Sequence, residues 1–152
     1  MRYITVTKLS FDDAEILSKL LTTASPDYSR YFTPFDFSLS TIQFILDQTK
    51  NDHFYGIKVN DELVGFFMLR GLDQGYKIPA FGLWVAEKYQ SMGLSKLAIH
   101  YCCSICRINN INKIMLKVYP DNLKARQLYE KMGFVFHYID EKNANLVYLK
   151  EL

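Results

Sequence analysis

Residues 53–72 read HFYGIKV-NDE-LVGFFMLRGL, two apolar strand-like runs on either side of a short polar turn. Such runs, rich in β-branched and aromatic residues and joined by so few polar ones, signal a β-hairpin. The hairpin places antiparallel pairing in the middle of the chain, and the flanking segments must be read around it. Before it, RYITVTK (2–8) alternates like a half-buried strand, and SFDDAEILSKLLTTA (10–24) opens a helix with Ser10 or Asp12 as N-cap. A second amphipathic helix spans about 39–50, with Leu39, Ile42, Phe44, Ile45 and Leu46 as its apolar face. The segment between the helices, SPDYSRYFTPFDFS, has two prolines and five aromatics without clean periodicity. It reads as an ordered loop, or a loop with one helical turn.

After the hairpin, a strand from about Ile78 to Ala86 leads through a glycine turn into a helix. Leu94, Leu97, Ala98, Tyr101, Cys102 and Ile105 fall on one face of that helix. KIMLKVY (113–119) is a further strand, ended by Pro120. A short helix from Asn122 to Met132 follows, with Ala125, Leu128, Tyr129 and Met132 on one face and Gly133 as its C-terminal stop. FVFHYID and LVYLKEL close the chain as two strands around EKNAN. The order is β-α-α-β-β-β-α-β-α-β-β, an α/β (α+β) arrangement without an internal repeat or linker.

A chain of 152 residues fits one domain, 1–152, that buries about 70% of its unfolded surface. Its 18 basic and 16 acidic residues are scattered, with no basic block to follow a nucleic-acid backbone or an anionic membrane. Neither nucleic acid nor membrane is therefore an expected partner. No run reaches the roughly 18–20 apolar residues of a membrane span, the N-terminus has no signal-peptide core, and a cytoplasmic location is expected. Cys102, Cys103 and Cys106 sit on one helix without a second Cys/His pair at metal-ligand spacing, so they read as small buried apolar residues and no metal is expected. The aromatic share of 15%, nearly all Tyr and Phe, is enough to line a pocket as well as fill a core.

Chemistry concentrates at the two strand-to-helix junctions. The first, YQSMGLSKLA (89–98), places Gly93 where a helix begins. The first turn of a helix has N–H groups without intrahelical partners, and glycine lets a phosphate approach them closely. Read alone, Gly93 is equally a plain turn, Gln90 a solvated loop residue, Met92 a packing residue, and Lys96 either a phosphate contact or a solvent-facing charge. In the second, Asn122 is an N-cap by position, and spacing puts Tyr129 in register with the buried face.

Taken together the junctions resemble the GNAT superfamily of acyl-CoA-dependent N-acetyltransferases. Gln90, Gly93 and Ser95 match Q/R-x-x-G-x-G/A, with Ser95 where a glycine or alanine is usual. Asn122, Ala125, Leu128, Tyr129, Gly133 and Phe134 match N-x-x-A-x-x-L-Y-x-x-x-G-F without a gap. The resemblance implies a mixed, mostly antiparallel sheet with a splayed central strand pair and about four helices. It implies acetyl-CoA as co-substrate, its pyrophosphate on the backbone of Met92, Gly93, Leu94, Ser95 and Lys96 near Gln90, and its pantetheine arm along Leu83, Trp84 and Val85. Asn122 would touch the arm or an ordered water, Tyr129 would protonate the departing thiolate, and the Val85 N–H would polarise the thioester carbonyl.

The resemblance stops at the general base. Family members often carry a glutamate on the strand before the first motif, where this chain has Ala80 and Phe81. Asp36, His53, Tyr76, Glu87 and His137 are the replacements considered, and none is assigned. The acceptor would meet Tyr28, Tyr31, Phe32 and Phe35, with Asp27, Arg30 and Asp36 as charged contacts. Such an aromatic wall suits a small-molecule primary amine on a ring, such as an amino sugar or a nucleotide-linked amino sugar; the same aromatics read equally as core beneath a loop. The alternatives are acetylation of a protein N-terminus or lysine, and a silent acyl-CoA-binding domain. A monomer or a homodimer is expected.

Overall fold

The computed structural model describes all 152 residues. The strands are β1 (Ile4–Lys8), β2 (His53–Val59), β3 (Glu62–Arg70), β4 (Ala80–Val85), β5 (Lys113–Val118), β6 (Val135–Ile139) and β7 (Leu146–Glu151). The helices are α1 (Ala14–Thr22), α2 (Pro26–Ser29), α3 (Leu39–Gln48), α4 (Leu94–Ile108) and α5 (Leu123–Lys131). All seven strands form one sheet in the order β1-β2-β3-β4-β5-β7-β6, antiparallel except between β4 and β5. Five helices rather than about four are present because Pro26 at the first helical position and the Ser25 side chain as N-cap close the single turn α2 inside the aromatic loop.

The hairpin forms as expected around Asn60 and Asp61, with Asn60 in the left-handed region at φ 53°. Alternation then sorts β3 and β4 onto two faces. Phe67, Phe81 and Val85 join the larger core beneath α4 and α5, whereas Phe66 and Trp84 join the smaller core beneath α1 and α3. The three cysteines are buried in the larger core, and burial raises the Cys106 thiol to about 11 and the Cys102 thiol further, which suits packing and not reactivity.

Three local expectations are corrected. Ser10 caps a short 3-10 turn (Phe11–Asp13) ahead of α1, and it is Asp13 whose carboxylate accepts from the Ser10 N–H at 2.9 Å. On α3 only Ile42 and Leu46 are buried, while Leu39 and Phe44 are exposed. Phe44 lies two residues, about 200°, from Ile42 on a helix of 3.6 residues per turn, which turns it to solvent. On α4 the buried face is Leu94, Ala98, Ile99, Cys102, Cys103 and Cys106, rotated so that Tyr101 lies at its margin.

The feature that positions a site is the parting of β4 from β5. Strand β4 pairs with β3 along its whole length, Ala80 to Val85, but with β5 only at Ala80–Met115. Beyond that one bridge the two parallel strands diverge, and the sheet opens into a wedge.

Candidate active site

Backbone direction identifies which groups the wedge leaves without a strand partner. Near the bridge, the Met115 N–H donates to the Pro79 carbonyl at 3.0 Å, on the β5 side. At the other end of β4, the Ala86 N–H donates to the Val64 carbonyl at 2.8 Å, on the β3 side. Main-chain groups of successive strand residues point alternately to the two sides, so those of Leu83 and Val85 face the gap. They are an open strand edge inside the molecule, which an extended amide-bearing ligand can join.

Where β4 ends, a 3-10 turn (Glu87–Tyr89) leads into the start of α4. Ser91 and Gly93 are both left-handed, at φ 60° and 86°, and Gly93 is the N-cap of α4 without a side-chain cap. The first N–H groups of a 15-residue helix are thus left to a ligand, with the positive end of its dipole behind them. A Cβ at Gly93 would meet no atom within 4 Å, so the space before these groups is open.

Across the gap, β5 runs into α5. The Asn122 side chain accepts from the Ala125 N–H at 3.4 Å as the N-cap of α5. Gly133 at φ 90° ends the helix, with the Phe134 N–H donating to the Tyr129 carbonyl at 3.0 Å and the Gly133 N–H to the Glu130 carbonyl at 3.1 Å. These two bonds form a Schellman stop, and they fix the last turn, on which Tyr129 sits. The Tyr129 ring meets Phe81 and Phe134 edge-on, with centroids 6.5 and 5.9 Å away. Burial pushes its hydroxyl up to about 12, so it stays protonated at neutral pH.

These elements enclose a cleft of about 640 Å³. Of the residues expected at a site, Leu83, Trp84, Val85, Gln90, Gly93, Ser95, Lys96, Asn122, Tyr129, Tyr28, Tyr31 and Phe32 line it. Three do not. Met92 is exposed, Leu94 is buried in the core under α4, and Phe35 packs edge-on against Phe37 and Phe66 with the Arg70 guanidinium 5.2 Å above its ring. Leu94 can therefore offer only main chain to a ligand, Met92 lies outside the cleft wall, and Phe35 packs against the smaller core.

None of the bases considered reaches the cleft wall. The Ser38 side chain, the Thr41 hydroxyl at 2.8 Å and the Ser38 N–H at 3.0 Å hold the Asp36 carboxyl below the usual range and commit it to starting α3. His53 stacks on Tyr55 at the beginning of β2, beside a separate pocket. Tyr76 is exposed, His137 lies on the exposed strand β6, and Glu87 begins the 3-10 turn.

Of the charged acceptor contacts expected, Asp27 supplies the single carboxylate of the wall, while Arg30 and Asp36 do not line it. The structure adds Ser91, Lys117 and Lys124, which the sequence did not mark. Lys117 is held by Asp140 at 2.7 Å. Nothing in the residue type of Ser91 foretells a positive φ, and Lys124 reaches the cleft only through tertiary folding.

The acetyltransferase (GNAT) family profile matches residues 17–134. A spermine/spermidine N(1)-acetyltransferase of Bacillus subtilis (strain 168) is 26% identical over 125 residues, covering 75% of this chain and 82% of that protein. Among solved structures, the PaiA N-acetyltransferase from Thermoplasma acidophilum in complex with coenzyme A superposes with a TM-score of 0.81 at 17% identity, covering 99% of each chain. The ribosomal-protein-S18-alanine N-acetyltransferase from Escherichia coli does so at 0.74 and 16% identity, covering 98% of this chain and 94% of that one. With its two motifs gathered at the parting of β4 and β5, the chain belongs to the GNAT family of acetyltransferases, acyltransferases whose co-substrate is acetyl-CoA.

Proposed function

We propose that the protein acetylates the primary amine of a small molecule in the cleft between β4 and β5, by direct attack of that amine. The observation that carries this reading is the junction of three features in one wedge: the edge at Leu83 and Val85 that no strand joins, the uncapped start of α4, and Tyr129 opposite. These residues fit acetyl-CoA, which when bound supplies an acyl thioester activated toward amines. The first N–H groups of α4, after Gly93, would hold its pyrophosphate, with the Ser95 and Lys96 side chains on the wall beside them. The gap-facing groups of Leu83 and Val85 would align the arm, and the Val85 N–H would meet negative charge developing on the thioester oxygen.

Tyr129 holds its proton at the hydroxyl and offers it to the leaving sulfur. A phenol at about 12 is a reluctant acid beside an ordinary thiol near 8.5, so hydrogen bonding to the thiolate comes first. Proton transfer becomes favourable only as the same burial raises the thiol.

At the acceptor end, Tyr28, Tyr31 and Phe32 form the wall, with Asp27 as the carboxylate that attracts an ammonium group. The wall bears Lys96, Lys117 and Lys124 against one aspartate, which favours an amine with a ring and few charges, such as an amino sugar, over a polyamine. The Bacillus relative's name favours the polyamine reading. A thiol-release assay with acetyl-CoA and a panel of glucosamine, spermidine, spermine and an alanine-terminated peptide separates them. Glucosamine is expected to turn over with the highest kcat/KM. Preference for spermidine or spermine replaces it with the polyamine reading, and preference for the peptide removes the small-molecule reading.

A further inference from the structure

Three consecutive hydrogen bonds tie the acceptor wall to β4. Lys124 Nζ on α5 donates to Gln90 Oε1 at 2.9 Å, Gln90 Nε2 donates to the Tyr28 hydroxyl at 2.5 Å, and that hydroxyl donates to the Val85 main-chain carbonyl. The direction of the relay is fixed by its end. An ammonium can only donate, so the Gln90 oxygen must face Lys124 and its amide hydrogens must face Tyr28. The Tyr28 oxygen then accepts from Gln90, and its one hydrogen is left for Val85.

That carbonyl belongs to the open strand edge described above. The phenol therefore occupies the hydrogen-bonding position that an amide laid along β4 needs. Tyr28 is partly buried, edge-on to Trp84 at 6.0 Å, and burial raises its pKa, so it remains a donor at neutral pH. Elsewhere the loop carrying α2 is anchored by Phe32, which packs edge-on to the buried Phe66 at 6.0 Å and stacks on Phe37, while its polar contacts are exposed: Tyr31 to Asp121 at 3.1 Å, Arg30 to Asp121 at 3.5 Å, and the Thr33 and Tyr119 hydroxyls at 3.0 Å. Exposed pairs of this kind restrain a segment weakly.

We infer that Tyr28 competes with the cofactor: its hydroxyl caps the Val85 carbonyl in the free protein and is displaced when a pantetheine amide pairs there. The inference rests on the reading of the wedge as the acyl-CoA site and gives Tyr28 a role distinct from contact with the amine. One hydrogen bond must be broken each time cofactor enters, and the Tyr28 hydroxyl is then free to face an acceptor.

Isothermal titration with CoA compares the wild-type protein with Tyr28→Phe, which keeps the ring against Trp84 and removes only the competing donor. The variant is expected to bind CoA about fivefold more tightly, the gain from a hydrogen bond that no longer has to be broken, with kcat/KM for acetyl-CoA rising in parallel. Lost packing or misfolding moves affinity the other way, so the direction of change separates competition from a structural role. CoA uptake with equal or weaker affinity in Tyr28→Phe overturns the inference alone. Absence of CoA uptake by the wild-type protein at millimolar concentration overturns both it and the reading on which it rests.

Discussion

The chain turns from strand to helix twice beside the cleft, after β4 and after β5, and solves the same problem in opposite ways. At the start of α5 the protein supplies its own acceptor: the Asn122 side chain takes the Ala125 N–H. At the start of α4 it supplies none, since Gly93 has no side chain and sits at φ 86°. The two helices also differ in what holds them. Helix α4 buries six residues in the larger core, whereas α5 packs Ala125, Leu128, Tyr129 and Met132 against that core only in part and is capped at both ends. A helix held by a fully buried face can leave its first N–H groups to a ligand; one held less deeply gains more from its caps.

The strongest way to break this contrast is to block the open junction. Ser95→Phe places a large ring on the cleft wall in the first turn of α4. CoA affinity is expected to fall at least about a hundredfold, because neither the uncapped N–H groups nor the space before them stays accessible. Titration with CoA reads this, and a thermal melt close to that of the wild type shows the fold kept. Unaltered affinity would return Gly93 to being only a turn.

At the self-capped helix the chemistry lies at the far end. Tyr129→Phe preserves the ring contacts with Phe81 and Phe134 and removes the proton. Turnover is expected to drop about a hundredfold with CoA affinity within twofold of the wild type. The pH profile carries the sign of the argument. Activity rises with pH as the substrate amine loses its proton, and because the Tyr129 hydroxyl is raised to about 12 it imposes no alkaline decline up to about pH 10. A wild-type decline near pH 9 that disappears in Tyr129→Phe would mean that burial does not control this hydroxyl.

Gly93→Ala gives a smaller effect. The added Cβ meets no protein atom within 4 Å, so the cost comes from holding an alanine at φ 86°, about 1 kcal/mol of stability. The same Cβ projects into the open space before the N–H groups, and a severalfold loss of CoA affinity should accompany it. Urea denaturation and CoA titration on one sample separate the two. Loss of stability without loss of affinity places the phosphate elsewhere.

Most of this molecule was legible because its signals are local or repeat along the chain. The hairpin, the strand-helix order and the Gly133 stop rest on turn chemistry and period, and the structure keeps them. The burial of the three cysteines is legible from their type, but a helical face drawn through Leu97, Tyr101 and Ile105 leaves out Ile99, and the buried face of α4 turns toward Ile99, Cys103 and Cys106. Phe35 was misplaced for a related reason. An aromatic in a loop carries no sign of whether it faces the cleft or Phe66. The Lys124–Gln90–Tyr28–Val85 relay joins positions up to 62 residues apart in a single contact, and no local pattern reports such a meeting. The parting of β4 and β5 was inferred by resemblance, since the sequence of β5, KIMLKV, would serve a fully paired strand equally well.

Asn122 offers the finest test of the contrast, because its side chain both caps α5 and lines the cleft. At 3.4 Å the cap is long, so Asn122→Ala is expected to cost about 0.5–1 kcal/mol of stability, the low end for an N-cap. Asn122→Ser keeps a capping oxygen while withdrawing the amide from the cleft, and the two variants together divide the roles. If the self-capped junction is structural, Ser restores the melting temperature lost in Ala and both variants bind CoA like the wild type. If Asn122 also holds the ligand, Ser restores stability but not affinity. The second outcome would narrow the contrast, leaving one junction that is open to ligand and another that shares a single side chain between helix and cofactor.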